Sequence, residues 1–257
     1  MAKLALVTGA SSGIGKAFAQ RLAAEGHDLI VTGRREDRLT ELASALSGVA
    51  VEPLVADLAT DEGLQAVADL CRSRPLATLI NNAGVAHYMP FSELPDENAS
   101  ELIRVKGLAP TLLALAAVPG MLERGEGTIV NVSGMIAFSG PAGPEQMPRR
   151  AVYTGTLAYL LAWTQQLHAE LASEGLRVQV LCPGVVATEF HERQGIDLSA
   201  VPRMSPEDVV TASVHGLQRG EVVCAPGVER ADLLQAVFGA QLAAFGAQSP
   251  ELAARYR

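Results

Sequence analysis

The stretch LALVTGASSGIG, Leu4 to Gly15, decides the fold. Leu4, Ala5, Leu6 and Val7 form a short apolar run, and Ala17, Phe18 and Leu22 follow the glycines at helical spacing, so the segment reads as strand, tight turn and helix. Gly9 lets the chain turn where a Cβ would clash. Gly13 and Gly15 let backbone N–H groups and the helix start come close to a pyrophosphate, to which the helix N-terminus offers partial positive charge. The alternative is a β-to-α connection that merely needs glycines. Its place directly behind the first strand favours a phosphate cradle.

Outward from this turn, apolar runs alternate with helical patterns. His27–Thr32, Val49–Ala56, Ala77–Ile80, Thr128–Val132 and Arg177–Leu181 read as further strands, with helices over Glu36–Leu46, Thr60–Cys71, Ala99–Glu123 (broken near Pro119) and Ala151–Ser173 between them. Continuously apolar strands alternating with helices predict a doubly wound, mostly parallel sheet with helices on both faces, an α/β Rossmann arrangement whose ligands sit at the carboxyl edge. After Gly184 the pattern loosens. Ser205-Pro206-Glu207 starts a capped helix, Glu221–Ala225 is a short strand, and Ala231–Phe245 is an alanine-rich helix. Without a linker or repeat, residues 1–257 read as one domain in which 185–257 form a variable lid and C-terminal part.

Composition narrows the function. A net charge of −8 argues against nucleic-acid or anionic-membrane binding, because phosphate contacts need clustered Lys and Arg. Only Lys3, Lys16 and Lys106 are lysines. Cys71, Cys182 and Cys224 have neither CxxC nor metal-ligand spacing, so free thiols in a reducing cytoplasm and no metal site are expected. The first strand begins within three residues, which leaves no room for a secretory signal. No apolar run spans a bilayer without interruption.

TGASSGIG, then Asp57-Leu58, then NNAG at 81–84, then PGVVAT at 183–188 together resemble the short-chain dehydrogenase/reductase family, in the family's order and over almost the whole chain. The resemblance implies a pyrophosphate turn of Gly9, Ser11, Ser12, Gly13, Ile14 and Gly15. It implies that Asp57 contacts the adenine amine with Leu58 beside it. Asn81, Ala83 and Gly84 would pass behind the adenosine ribose, and Pro183, Gly184, Val186 and Thr188 would hold the nicotinamide carboxamide and a phosphate. Asp57 also reads as a helix cap before Thr60, and NNAG as a strand-ending turn. The second strand ends in Gly33-Arg34-Arg35. Arginine pairs with a 2′-phosphate in fork geometry, whereas an acid there would bind the 2′-hydroxyl, so Arg34 and Arg35 favour NADP(H) over NAD(H).

Family members carry out proton transfer with Asn, Ser, Tyr and Lys, the lysine depressing the tyrosine pKa. Tyr153 matches the tyrosine, but Leu157 stands at the lysine position, Gly134 at the serine and Lys106 at the asparagine. Ser133 lies one place early, and one residue reverses side-chain direction on a strand. No lysine follows Lys106, so Lys106, reaching across from the opposite helix, is the candidate substitute cation beside Tyr153 and Ser133. Arg149 or Arg150 folding inward is a second candidate, although the connection GPAGPEQMPRR is rich in proline and favours arginines in water. His87, Tyr88, Met89, Phe91, Phe138, Met147, Phe190 and His191 are candidate pocket residues, His87 having acid/base capacity near neutral pH. Trp163, Leu160 and Leu167 on the Tyr153 helix read as core or as subunit contact, and the resemblance implies a homodimer or homotetramer.

Three functions follow. One is an NADP(H)-dependent oxidoreductase on a small carbonyl or alcohol with a rebuilt proton-transfer site. A second is a non-redox lyase, isomerase or cyclase on the same scaffold. The third is a catalytically silent NADP(H)-binding protein.

Overall fold

A computed structural model describes residues 2–140, 149–198 and 200–257. Pro141, Pro144, Met147 and Pro148 of the connection before Tyr153 lie outside the described residues. The first strand β1 (Leu4–Thr8) runs into α1 (Gly13–Ala24), as read from the opening stretch. There follow β2 (Asp28–Gly33), α2 (Glu36–Ala45), β3 (Val51–Val55), α3 (Asp61–Ser73), β4 (Leu76–Asn81), α4 (Asp96–Ile103), α5 (Ala109–Arg124), β5 (Gly127–Val132), α6 (Ala151–Leu171), β6 (Leu176–Leu181), α7 (Pro206–Gln218) and β7 (Val223–Cys224). All seven strands pair in parallel in the order β3-β2-β1-β4-β5-β6-β7. The order reverses between β1 and β4, which opens a crevice at their carboxyl ends.

Alternation along the strands fills both faces. Leu4, Leu6, Ile30, Leu79 and Ile129 pack with α3 and α5 on one side, while Ala5, Val7, Leu29, Val31, Ile80 and Val130 pack with α1, α2 and α7 on the other. Burying each Leu or Val contributes about 1.5–3 kcal/mol. Pro53 and Glu52 are tolerated because β3 is an edge strand with no strand beyond it to pair. Thr60 caps α3 by accepting from the Gly63 amide at 3.0 Å, and Ser205 caps α7 by accepting from Asp208.

The helix over residues 99–123 differs from the sequence reading. Pro119 does not break it: α5 continues to Arg124 and ends at Gly125, whose φ of 65° is left-handed. Pro119 and Leu115, four residues before it, are both exposed and lie on the outer face of the helix. The irregularity comes earlier, as a π-helical turn at Arg104–Leu108 that joins α4 to α5. The joined run Asp96–Arg124 thereby becomes long and apolar enough to cross a membrane, contrary to the sequence expectation, but half of its apolar window is buried in the protein as a core helix.

The chain forms two compact units, Met1–Pro226 and Gly227–Arg257. The change placed at residue 185 by the sequence precedes this boundary, because α7 and β7 pack with the sheet of the first unit. The second unit contains α8 (Ala231–Gly246), in which Leu233, Val237, Leu242 and Phe245 are exposed.

Candidate active site

The turn after β1 and the turn after β4 are tied together at the crevice. Thr8 Oγ1 accepts from the Asn82 and Ala83 amides at 2.9 and 3.0 Å, and Asn82 Nδ2 donates to the carbonyls of Thr8 and Gly9 at 3.0 and 3.2 Å. Gly9 has φ 66°, and a Cβ there would lie 2.8 Å from Ala83 Cα, so only glycine permits this approach. A single cavity of about 560 Å³ opens above these turns. Its wall includes Gly9, Ser11, Ser12, Gly13, Ile14, Arg34, Arg35, Asp57, Leu58, Ala83, Gly84, Pro183, Gly184, Val186 and Thr188 from the set read in the sequence, and it also carries Lys106, Ser133 and Tyr153.

Two of the expected residues stand behind that wall. Gly15 is buried in α1 beneath the turn. Asn81 points into the sheet, donating to Asn131 Oδ1 at 2.9 Å and more weakly to the Pro110 carbonyl at 3.4 Å. It joins β4 to β5 and leaves the ligand-facing position to Asn82. Asp57 accepts from the Ala59 amide at 2.9 Å, and its other oxygen is 3.8 Å from Arg34. Arg35 donates to Ser11 and Ser12 Oγ, both at 2.9 Å.

At the other end of the cavity, around Tyr153, the packing is apolar. Leu157 is fully buried and packs with Tyr153, Ala86 and Leu102. A Cβ on Gly134 would lie 3.5 Å from Leu157 Cδ1, so the two altered positions face each other. The Ser133 hydroxyl lines the cavity and donates to the Leu157 carbonyl at 2.9 Å, which turns its single proton towards α6.

Lys106 is 5% exposed and sits in the π-helical turn, whose extra residue per turn aims it at the sheet edge. Its ammonium donates to the Val132 carbonyl at 3.1 Å. A Cβ on Gly84 would lie 2.5 Å from Lys106 Cε and 2.6 Å from Nζ, so the lysine fills the space over that glycine. Burial pulls its pKa down to about 8. Tyr153 is buried, and desolvation raises its pKa, with Tyr88 adding to the rise. The two rings meet edge-to-face at 5.7 Å.

Arg150 overturns the expectation that this loop leaves its arginines in water. It is buried on the cavity wall and donates to Ser139 Oγ at 3.3 Å, and its charge acts on Tyr88, while Arg149 is exposed. His87 is held by Glu101 at 2.8 Å and is not on the cavity wall. His191 stacks on Tyr88 at 6.4 Å, and burial, with the charge of Arg203, lowers its pKa. Sequence reasoning passed over Glu189 and Arg193, which line the same cavity beside Arg35. The signal available was their position directly after PGVVAT.

Comparison with known proteins agrees with this architecture. Residues 3–198 match the short chain dehydrogenase family. Sulfoacetaldehyde reductase 2 of Chromohalobacter salexigens is 37% identical over 197 residues, 74% of this chain and 75% of that protein. Among solved structures, a short-chain dehydrogenase from Sphingobium yanoikuyae in complex with NADPH superposes with a TM-score of 0.93 at 37% identity, covering 99% of this chain and 100% of the other. The bulky-bulky ketone specific alcohol dehydrogenase from Comamonas testosteroni gives 0.88 at 29% identity, covering 99% and 98%.

Proposed function

The chain belongs to the short-chain dehydrogenase family, and from that membership we propose an NADP(H)-dependent oxidoreductase that reduces a small ketone or aldehyde with the proton supplied by Tyr153. The observation that carries this reading is the one continuous cavity reaching from the arginines at the end of β2 to the Tyr153 ring. Its residues fit the cofactor: a glycine turn held open by close backbone approach, and guanidinium groups already paired with a carboxylate oxygen at the far end.

Arg34, Arg35, Ser11 and Ser12 would hold the 2′-phosphate, the Gly9–Gly15 turn the pyrophosphate, Asp57 and Leu58 the adenine, and Ala83 and Gly84 the ribose side. Pro183, Gly184, Val186 and Thr188 would hold the nicotinamide end. When bound, NADPH supplies a hydride to the carbonyl carbon. Tyr153 donates its phenolic proton to the carbonyl oxygen as that oxygen becomes an alkoxide, and is reprotonated from solvent. A buried phenol held neutral suits this role. Burial keeps the phenol protonated and able to donate but also makes it a weaker acid, so the basicity of the forming alkoxide is what draws the proton across.

We assign Lys106 to the vacated lysine position as a cation on the cavity wall held by the Val132 carbonyl; it does not lower the Tyr153 pKa, which burial and Tyr88 raise, and Arg150 acts on Tyr88. Tyr88, Ile136, Phe190, Ile196 and Leu198 give the substrate end an apolar wall suited to a carbonyl with hydrocarbon flanks. Exposed Leu108 before α5, Leu115 and Leu122 on α5 and Tyr159 on α6, which stacks on the partly buried Trp163, support a homodimer or homotetramer through these helices.

The test is NADPH consumption against a panel of aldehydes, ketones and quinones, with NADPH affinity measured in parallel. Turnover on a carbonyl with tight NADPH binding is expected. Tight binding without hydride transfer would favour the non-redox or silent reading, which Gly134 and Leu157 recommend because neither can polarise a substrate oxygen.

A further inference from the structure

The loop after β6 reaches back over the cofactor end of the cavity. A Cβ on Gly13 would lie 2.8 Å from Thr188 Cγ2, and the next residue, Glu189, places Oε1 2.8 Å from Arg35 Nη1. Arg193, one helical turn further on, donates to the same Oε1. One carboxylate oxygen is therefore gripped by two guanidinium groups, one from the end of β2 and one from the loop. Arg35 uses its other Nη on Ser11 and Ser12. Arg34 pairs elsewhere, with Glu101 at 3.2 Å. Ser11, Ser12, Arg35, Glu189 and Arg193 all face the cavity.

Charge at this corner is unbalanced. Burial lowers the Arg193 pKa most, and the like charges of Arg35, Arg34 and Arg38 lower it further. A single carboxylate oxygen between Arg35 and Arg193 does not match the donors available, whereas a phosphate offers three oxygens and up to two charges. The carboxylate is also easily displaced. Arg35, Arg193 and Glu189 side chains are 29%, 43% and 33% exposed, and ion pairs this open contribute about 0–1 kcal/mol.

We propose that Arg193 is a ligand of the 2′-phosphate of NADP(H), brought to the site by the loop after β6, and that Glu189 competes with that phosphate for Arg35 and Arg193. The inference rests on the NADP(H) reading and extends it. The same loop carries His191, Ile196 and Leu198 into the cavity, so 2′-phosphate recognition and the shape of the substrate end are joined through one short segment. A cofactor lacking that phosphate leaves Glu189 in place and the loop unrecruited.

Calorimetric titration of the purified protein with 2′,5′-ADP, NADPH and NADH tests this, alongside the Arg193→Gln and Glu189→Gln variants. Arg193→Gln is expected to weaken 2′,5′-ADP and NADPH about tenfold and leave NADH unchanged. Glu189→Gln is expected to tighten both 2′-phosphate ligands about fivefold, again without effect on NADH. Hydrogen exchange of residues 189–198 should slow on adding 2′,5′-ADP to the wild type and not to Arg193→Gln. The inference is overturned if Arg193→Gln keeps the wild-type preference for NADPH, if all three ligands weaken equally, or if Glu189→Gln loses NADH, which would make the acid a ribose ligand. A wild type that binds NADPH and NADH alike overturns the NADP(H) reading and this inference together.

Discussion

The two ends of the cavity were built under different constraints. At the β1–β4 end the Thr8 hydroxyl and the Asn82 amide side chain clamp main-chain groups of the facing turn, and Gly9 lets the two turns approach closely. At the β5–α6 end, side chains do the packing: Leu157 fills the space beside Tyr153 and faces Gly134, which has no side chain. A hydrogen-bonded clamp is lost when one partner is removed, whereas apolar packing can be refilled. Variants at one end should therefore move that end's property without the other's, which substitutions at each end test.

Tyr153→Phe is expected to have the largest effect. It removes one hydroxyl and keeps the ring that packs on Leu157 and Tyr88, so carbonyl reduction should fall about a thousandfold while NADPH affinity stays within twofold. A variant that still turns over would locate proton transfer elsewhere, and one that loses NADPH would join the two ends again.

The same contrast explains what was legible in the sequence. The sheet, both helix caps and the glycine turn follow from periodicity and from backbone demands that act within a few residues. Lys106 was legible as a displaced cation because lysine is scarce here, but its aim depends on a π-helical turn that no local pattern announces. Ser133 was legible as a hydroxyl in the neighbourhood, yet its commitment to the Leu157 carbonyl is a tertiary fact. Arg150 looked solvated from its proline-rich setting and is buried instead. Pro119 looked like a helix break, but it sits on the exposed face of a helix that continues to Arg124.

Lys106→Met probes the catalytic end through two readouts. The lysine pKa is about 8 in the fold against 10.5 in the unfolded chain. Between these values the unfolded state binds more protons, so wild-type stability rises as pH climbs from about 8 to 10.5. Below pH 8 the fold bears the cost of a buried charge. Lys106→Met should therefore be more stable than wild type at pH 7, by up to about 3 kcal/mol, with the gap closing towards pH 10.5 in denaturant titrations. Turnover should fall about a hundredfold. Unchanged turnover would remove Lys106 from the mechanism, and a gap independent of pH would show that it does not titrate in this range.

Arg35→Ala addresses the other end. Losing a guanidinium that serves both serines and the 2′-phosphate should weaken NADPH about thirtyfold in fluorescence titrations, with NADH affected less than threefold and kcat at saturating NADPH unchanged. A fall in kcat would show that the cofactor end also sets the reactive geometry.

Gly134→Ser asks whether the repacked end can be returned towards the family arrangement. The backbone at Gly134 is extended, with φ 177°, so a side chain meets no strain there. The new Cβ would sit 3.5 Å from Leu157 Cδ1 and 3.6 Å from the Pro183 carbonyl, ordinary van der Waals distances. The hydroxyl would stand on the cavity wall beside Tyr153, where it can donate to the substrate oxygen as negative charge develops. About a tenfold rise in kcat is expected, smaller than the loss when a preorganised donor is removed, because no second group orients the new hydroxyl. Leu157 cannot supply that orientation, and the nearest hydroxyl, Ser133, is spent on α6. A hydroxyl that instead turned to the Pro183 carbonyl would leave kcat unchanged, and the catalytic end would then owe its low polarity to the turn after β6 as much as to Leu157.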